Sequence, residues 1–330
     1  MRYRKLGPFS VSAIGLGCMN MSMGYGTADK NESLRLLNEC IDLGYNFLDT
    51  ASMYGKGHNE ELIGNTLKHR RDEYVLASKC GFVRDDKGDP IIDGRPQTLK
   101  KTCENSLRRL QTDVIDLYYL HRLDPQVPIE ESVGALSELV DEGKIKTVGL
   151  SEVCAETTYR AQAVHPISAI QSEYSLWSRT PERKILSVCD DLDIGFVAFS
   201  PLGRAFLAGS SCDVTQLGEK DIRSGIARPR FEPENFARNF KLLAPYGEIA
   251  REQECTLAQL ALAWVLARGE NMVPIPGTKD IGHMRENAAA ADVELDDSVV
   301  EKLDLLINES TVAGRRYTDE LMASTDSERD

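Results

Sequence analysis

Three stretches, NFLDT at 46–50, YVLASK at 74–79 and IDLYYLH at 115–121, carry the reading of the fold. Each is a short run of apolar and aromatic residues too brief for a helix. Each meets a polar residue at or beside its carboxyl end: Asp49, Lys79 and His121. Five more runs follow the same pattern: IGLGCM from Ile14, KTVGLS from Lys146, AIQSEY from Ala169, GFVAFSP from Gly195 and MVPIPG from Met272. Near-continuous apolar runs are what a parallel sheet buried on both faces requires.

Amphipathic stretches separate the runs. Leu99, Cys103, Leu107 and Leu110 form one apolar stripe at helical spacing, and Ile129, Val133, Leu136 and Val140 another. Thr180 with Pro181 marks a third helix start, and Thr256 with Gln259 has the spacing of a capping box. Eight strand–helix units without a linker predict an α/β fold: one (β/α)8 TIM barrel domain over 1–330. RKLG and SVSA, turning at Gly7–Pro8, predict an N-terminal β-hairpin that plugs the barrel bottom. A stretch over 297–308 predicts an extra C-terminal helix, followed by a polar tail, 315–330, expected to be partly mobile. The segment 204–233 has no clear period and predicts a long functional loop.

The net charge of −13 is concentrated at the end: 292–330 holds 12 acidic and 4 basic residues. That distribution excludes a nucleic-acid surface, and the acidic end reads as a solubility device. The eight cysteines, at 18, 40, 80, 103, 154, 189, 212 and 255, form no C-x-x-C pair and read as reduced, mostly buried thiols. The first residues lack the apolar core of a secretion signal, and LAQLALAWVLA from Leu257 is too short to span a bilayer. A cytoplasmic protein with no membrane partner is expected. The sequence assigns no oligomeric state.

Active sites of such barrels form at the carboxyl ends of the strands. There Asp49, Lys79 and His121 fall, with Tyr54 five residues past Asp49. Singly each has an ordinary structural role: a cap, a solvated lysine, a packed tyrosine, a hydrogen-bonded histidine. Together they make a proton donor. A phenol is a poor acid near neutrality, with a pKa of about 10. A neighbouring ammonium is expected to lower that value, an aspartate to hold the ammonium charged, and an imidazole to orient a carbonyl. The histidines at 58, 69, 121, 165 and 283 show neither H-x-H nor H-E-x-x-H, so no metal site is expected. GLGCMN, GYGTAD and GKGHNE each lack the third glycine of a dinucleotide fingerprint, which argues against a Rossmann domain.

DTASMYG at 49–55, followed by Lys79 and His121 at successive strand ends, resembles the aldo-keto reductase superfamily, and the match runs from RKLG to ENAAAADVEL. The resemblance implies NADPH-dependent reduction of aldehydes or ketones. Tyr54 would be the acid, Lys79 and Asp49 its tuning pair, and His121 the carbonyl orienter. It further implies that Met19 contacts the cofactor, that Ser151 and Gln171 hold its carboxamide and that Phe199 lies under the nicotinamide ring. Ser200, Pro201, Leu202 and Gly203 would hold the pyrophosphate. Gly277, Thr278 and Lys279 would hold the 2′-phosphate, and Glu286 and Asn287 the adenine. Two departures stand out. Glu152 replaces the asparagine common after Ser151. Asp280 and His283 stand where arginines are common, which leaves NADH possible as well. Arg223, Arg228 and Arg230 are candidates to compensate, in a loop that would fold over the cofactor as a belt. The expected partner is a small carbonyl compound, against a rim of Met21, Tyr25, Phe82, Trp177 and Phe206. The alternative is a cofactor sensor or regulatory subunit with little turnover. A barrel hydrolase lacks the ligands or nucleophile pair it would need.

Overall fold

The structure, a computed structural model, describes residues 1–209 and 213–330; Ser210, Ser211 and Cys212, within the 204–233 loop, lie outside the described residues. The chain opens with a hairpin, β1 (Tyr3–Leu6) and β2 (Phe9–Ser12). Eight parallel strands follow: β3 (Leu16–Gly17), β4 (Phe47–Asp49), β5 (Val75–Cys80), β8 (Ile115–Leu120), β9 (Ile145–Ser151), β10 (Ile167–Glu173), β11 (Gly195–Phe199) and β12 (Met272–Ile275). A small antiparallel hairpin, β6 (Phe82–Arg84) with β7 (Pro90–Ile92), rises after β5.

The sheet closes on itself between β3 and β12. Gly15 N donates to Pro274 O (3.0 Å), Gly17 N donates to Pro276 O (3.2 Å), and Gly17 pairs with Gly277. The seam is thin because Pro274 and Pro276 have no N–H to return. The expected barrel is therefore present, and the hairpin plugs it with Leu6 and Val11. At Gly195 a β-carbon would lie 2.4 Å from Leu6 Cδ1, so only glycine lets the plug seat fully.

Strand alternation sets what faces inward. Phe47, Ala77, Leu117, Tyr119, Ala169, Val197, Val273 and Ile275 fill the barrel. The residues between them, such as Leu48, Leu76, Tyr118 and Ile170, pack with Leu37, Leu99 and Val133 of the surrounding helices. Those helices include α1 (Lys30–Asp42), α2 (His58–Leu67), α3 (Pro96–Leu110), α4 (Ile129–Asp141) and α5 (Ala155–Gln162). Further along, α9 (Leu243–Glu252) leads to the Thr256–Gln259 capping box, which opens α10 (Leu257–Ala267), and α12 (Asp297–Leu306) is the extra C-terminal helix. No helix among the described residues is long and apolar enough to cross a membrane.

Two expectations need correction. Thr180 and Pro181 start only a short 3-10 turn, Thr180–Arg183; the helix α6 (Ile185–Asp191) begins after Lys184, whose φ of −151° interrupts the spiral. The polar tail is packed rather than loose. It forms α13 (Asp319–Ser324) and a turn, with Arg316, Tyr317, Thr325, Asp326 and Ser327 buried. Its acids serve structure: Asp326 accepts from Cys154 N at 2.9 Å and Glu328 from Arg316 Nε at 2.6 Å.

Within the long loop, short turns lead to α7 (Arg228–Phe231) and α8 (Pro233–Phe240). Ile222 N donates to Gly24 O at 2.9 Å, so the loop reaches across to the segment after β3.

Candidate active site

The next inward row above the apolar filling is polar. Asp49 is two residues past Phe47, Lys79 two past Ala77, and His121 two past Tyr119. Ser151 stands two past Gly149, Gln171 two past Ala169, and Phe199 two past Val197. The strand period alone thus carries these six side chains to the barrel mouth.

Lys79 is fully buried and Asp49 nearly so. The ammonium donates to Asp49 Oδ1, to Thr50 O (2.9 Å) and to Tyr54 Oη (3.3 Å). That uses all three of its N–H groups. Burial opposes the charge on Lys79, but Asp49 and Tyr54 outweigh it and raise its pKa. Asp49 Oδ2 accepts from Gln171 Nε2 at 2.7 Å, so both carboxylate oxygens are held.

Tyr54 reaches this pair through an unusual backbone. Gly55, Lys56 and Gly57 have φ of 58°, 60° and 92°, which turns the chain sharply before α2. At Gly55 a β-carbon would meet Ser22 Cβ at 2.9 Å. The segment is pinned by Asn59, which accepts from Thr50 Oγ1 (2.6 Å) and donates to Cys18 O and Ser22 Oγ (both 2.8 Å).

The expected lowering of the phenol's pKa does not result. Lys79 pulls it down, but burial outweighs Lys79 and the net shift is upward, leaving Tyr54 a protonated phenol. His121 meets Tyr54 edge-on (5.9 Å between ring centroids) and Phe82 likewise (5.0 Å). Burial, then Arg122 and Lys79, hold its pKa well below the ordinary histidine value, so it is a neutral imidazole at physiological pH. Among the described residues no group of three or more His, Cys, Asp or Glu could hold a metal.

Ser151 and Gln171 are register partners on β9 and β10. Ser151 Oγ accepts from Arg122 Nη1 at 3.2 Å, which leaves its own proton to donate. Sequence reasoning does not single out Arg122, although its place directly after His121 at a strand end is the signal that could find it. Phe199 is half-buried over the barrel filling. Ser200 and Gly203 both adopt positive φ, and at Gly203 a β-carbon would lie 2.9 Å from the Trp177 ring. Met19 lies half-buried in the turn after β3, and Gly277 packs against the Asn20 side chain. Glu286 and Asn287 stand on α11 (Ile281–Ala289), the former half-buried and the latter buried. A cradle of small residues and positive-φ backbone beside an aromatic face and amide and hydroxyl donors fits a dinucleotide.

Lys279 does not point freely into this cradle. Its Nζ donates to Tyr25 O (2.8 Å) and Thr27 O (3.0 Å). Asp280 serves the fold, because its Oδ1 accepts from His283 N (2.8 Å) and caps α11. The candidate compensating arginines are engaged elsewhere, Arg223 with Asp221 and Arg228 with Glu232, while Arg230 is buried against Trp177. Of the expected rim, Tyr25 and Phe82 are half-exposed. Met21 is buried, and Trp177 and Phe206 stack on each other in the core, 4.1 Å apart.

Barrel topology and a strand-end Asp–Lys–Tyr cluster beside a neutral histidine define a barrel oxidoreductase that acts on carbonyl groups. A sequence model described as the aldo/keto reductase family matches residues 13–308. The probable aldo-keto reductase 1 of Glycine max is 40% identical over 311 residues, covering 94% of this chain and 89% of that protein. The aldo-keto reductase yakc [NADP(+)] of Schizosaccharomyces pombe is 40% identical over 320 residues, covering 95% and 94%. Among solved structures, a glycerol dehydrogenase from Gluconobacter oxydans superposes with a TM-score of 0.84 at 28% identity, over 92% of this chain and 94% of that one. An aldo/keto reductase from Klebsiella pneumoniae in complex with NADP and acetate gives 0.73 at 29%, over 96% and 99%. This chain belongs to the aldo/keto reductase family.

Proposed function

We propose that the chain reduces an aldehyde or ketone to an alcohol with NADPH, using Tyr54 as the general acid. The observation that carries this is the fully satisfied Lys79 ammonium joining Asp49 to the Tyr54 hydroxyl. When bound, NADPH supplies the hydride. Ser151 and Gln171 have the donors to hold its carboxamide, and Phe199 covers one face of its ring. Lys279, Thr278 and Gly277 fall to the 2′-phosphate, Glu286 and Asn287 to the adenine, and Ser200 to Gly203 to the pyrophosphate, with Met19 a further cofactor contact.

Neutral His121 offers an N–H to the substrate oxygen without adding charge. Tyr54 gives its proton to the oxygen as negative charge develops there, and Lys79 stabilises the phenolate left behind. Asp49, itself fixed by Gln171, holds Lys79 in line. Half-exposed Phe82 and Tyr25 favour apolar or aromatic carbonyl compounds. The buried free cysteines support a reducing, cytoplasmic setting.

The test is steady-state oxidation of NADPH and NADH against a panel of aldehydes and ketones. Tyr54→Phe is expected to lower kcat by at least about a hundredfold while NADPH binding, read by fluorescence titration, stays unchanged. Retained turnover in that variant would overturn the assignment of the acid. Tight NADPH binding with negligible turnover in the unaltered protein would favour the sensor.

A further inference from the structure

Outside the catalytic mouth lies a cleft of about 470 Å3 between the segment after β10 and the C-terminal tail. That volume is in the range of small-molecule sites. Asp49, Tyr54, Lys79 and His121 are not among the residues that line it. Arg230, Trp177, Ser178, Val312, Met322 and Ala323 are among the residues that line it.

Arg230 is the unusual member. It is more than nine-tenths buried, yet among the described residues no carboxylate lies within ion-pair distance of it. The other arginines lining the cleft are matched: Arg179 with Glu182, Arg183 with Glu309, Arg315 with Asp319, and Arg316 with Glu152. Arg230 donates through Nη1 to Ser178 Oγ (2.7 Å) and weakly through Nε to Gly314 O (3.3 Å). Its guanidinium lies 5.0 Å from the Trp177 ring centroid. A guanidinium has five N–H donors, so these bonds leave donors in reserve. Trp177 adds a second sign: its buried Nε1 has no acceptor among the described residues. Ser178 spends its own proton on Glu173 Oε1 (2.8 Å). Three carboxylates also line the cleft, but Glu309 is taken by Arg183, Asp319 by Arg315 and Glu328 by Arg316, so none is in contact with Arg230. Burial, reinforced by Arg204 and Arg316 and offset by Glu173 and Glu328, lowers the Arg230 pKa to about 10, still protonated at neutral pH. A buried cation with no carboxylate in contact is costly and is relieved by an anion.

We propose that this cleft is a second, non-catalytic site that binds a small organic anion, its carboxylate or phosphate head on Arg230 and its apolar body against Val312 and Met322.

The test uses the holoenzyme saturated with NADP+. Sodium succinate and sodium phosphate are titrated by calorimetry, with sodium chloride at matched ionic strength as the control. Saturable binding of either probe beyond chloride supports the site, and the better probe tells carboxylate from phosphate. Arg230→Met is expected to weaken binding at least about tenfold, as loss of a charge-assisted contact should. Ala323→Glu, on the exposed face of α13, places a competing carboxylate in the cleft. It carries the test if Arg230→Met fails to fold, and it is expected to give a similar loss with kcat unchanged. The proposal is overturned if neither probe saturates beyond chloride. It is also overturned if binding persists in the folded variants, or if the bound anion simply competes with the carbonyl substrate.

Discussion

Arg316→Met tests how the tail is held. Arg316 is 4% exposed and gives Glu152 two hydrogen bonds, of 3.0 and 2.6 Å, together with one to Glu328 of 2.6 Å. Glu152 has no solvent exposure. Removing one partner of a buried pair leaves the other charge uncompensated, at a cost of about 3–5 kcal/mol. The protonation equilibrium gives a second route to the number. Burial alone would raise the Glu152 pKa, but Arg316 above all, with Arg122 and Ser327, outweighs it and brings it to about 2 from 4.5. At ~1.4 kcal/mol per pH unit that is again roughly 3 kcal/mol.

The sign follows. With a depressed folded-state pKa, this stability is fully present above pH 4.5 and is lost as pH falls towards 2. In Arg316→Met the burial of Glu152 is no longer outweighed, so its pKa should rise and acid should relieve the penalty. The assay is thermal unfolding by circular dichroism at several pH values. At pH 7 the variant should unfold about 6–10 °C below the unaltered protein, taking ~2 °C per kcal/mol for a chain of this size. The gap should narrow towards pH 4, and Glu152→Gln added to Arg316→Met should recover part of the loss. A gap under about 2 °C at pH 7, or one that does not change with pH, would refute the reasoning.

Two further outcomes are expected. Because Tyr54 stays protonated and His121 neutral, kcat for reduction should be flat across neutral pH and fall only where Tyr54 ionises, above its ordinary value of about 10; an inflection near 6.5, in a rate profile with substrate and cofactor saturating, would mean that His121 titrates in the working enzyme. Asp280→Arg should raise the preference for NADPH over NADH in competition kinetics while lowering stability by about 1 kcal/mol, since it removes the cap on His283 N; unchanged preference would place the 2′-phosphate elsewhere.

Much of the catalytic site is legible before any folding is considered. Two-residue alternation is a local property, so an apolar run ending in Asp49, Lys79 or His121 already states which side chain points into the barrel. Gln171, Ser151 and Phe199 fall in the same row by the same count. Gln171 holding Asp49 is not legible, because 122 residues separate them and neither the amide nor the carboxylate signals its partner. The direction of the Tyr54 pKa shift escapes the sequence for a related reason: the attraction of Lys79 can be inferred from a motif, whereas burial is the sum of everything packed around the phenol.

The tail shows the same division. Its composition is polar and acidic, which by itself reads as loose. Packing decides otherwise, because Glu152 emerges buried beside β10 and needs a cation that Arg316 supplies from 164 residues away. The sequence by itself determined the barrel, its plug and the row of reactive side chains, since these follow from periodicity along the chain. Tertiary structure alone decided which charges meet, which stay protonated and which guanidinium is left facing a cleft, since Coulomb attraction and desolvation depend on distances and burial that no local pattern encodes.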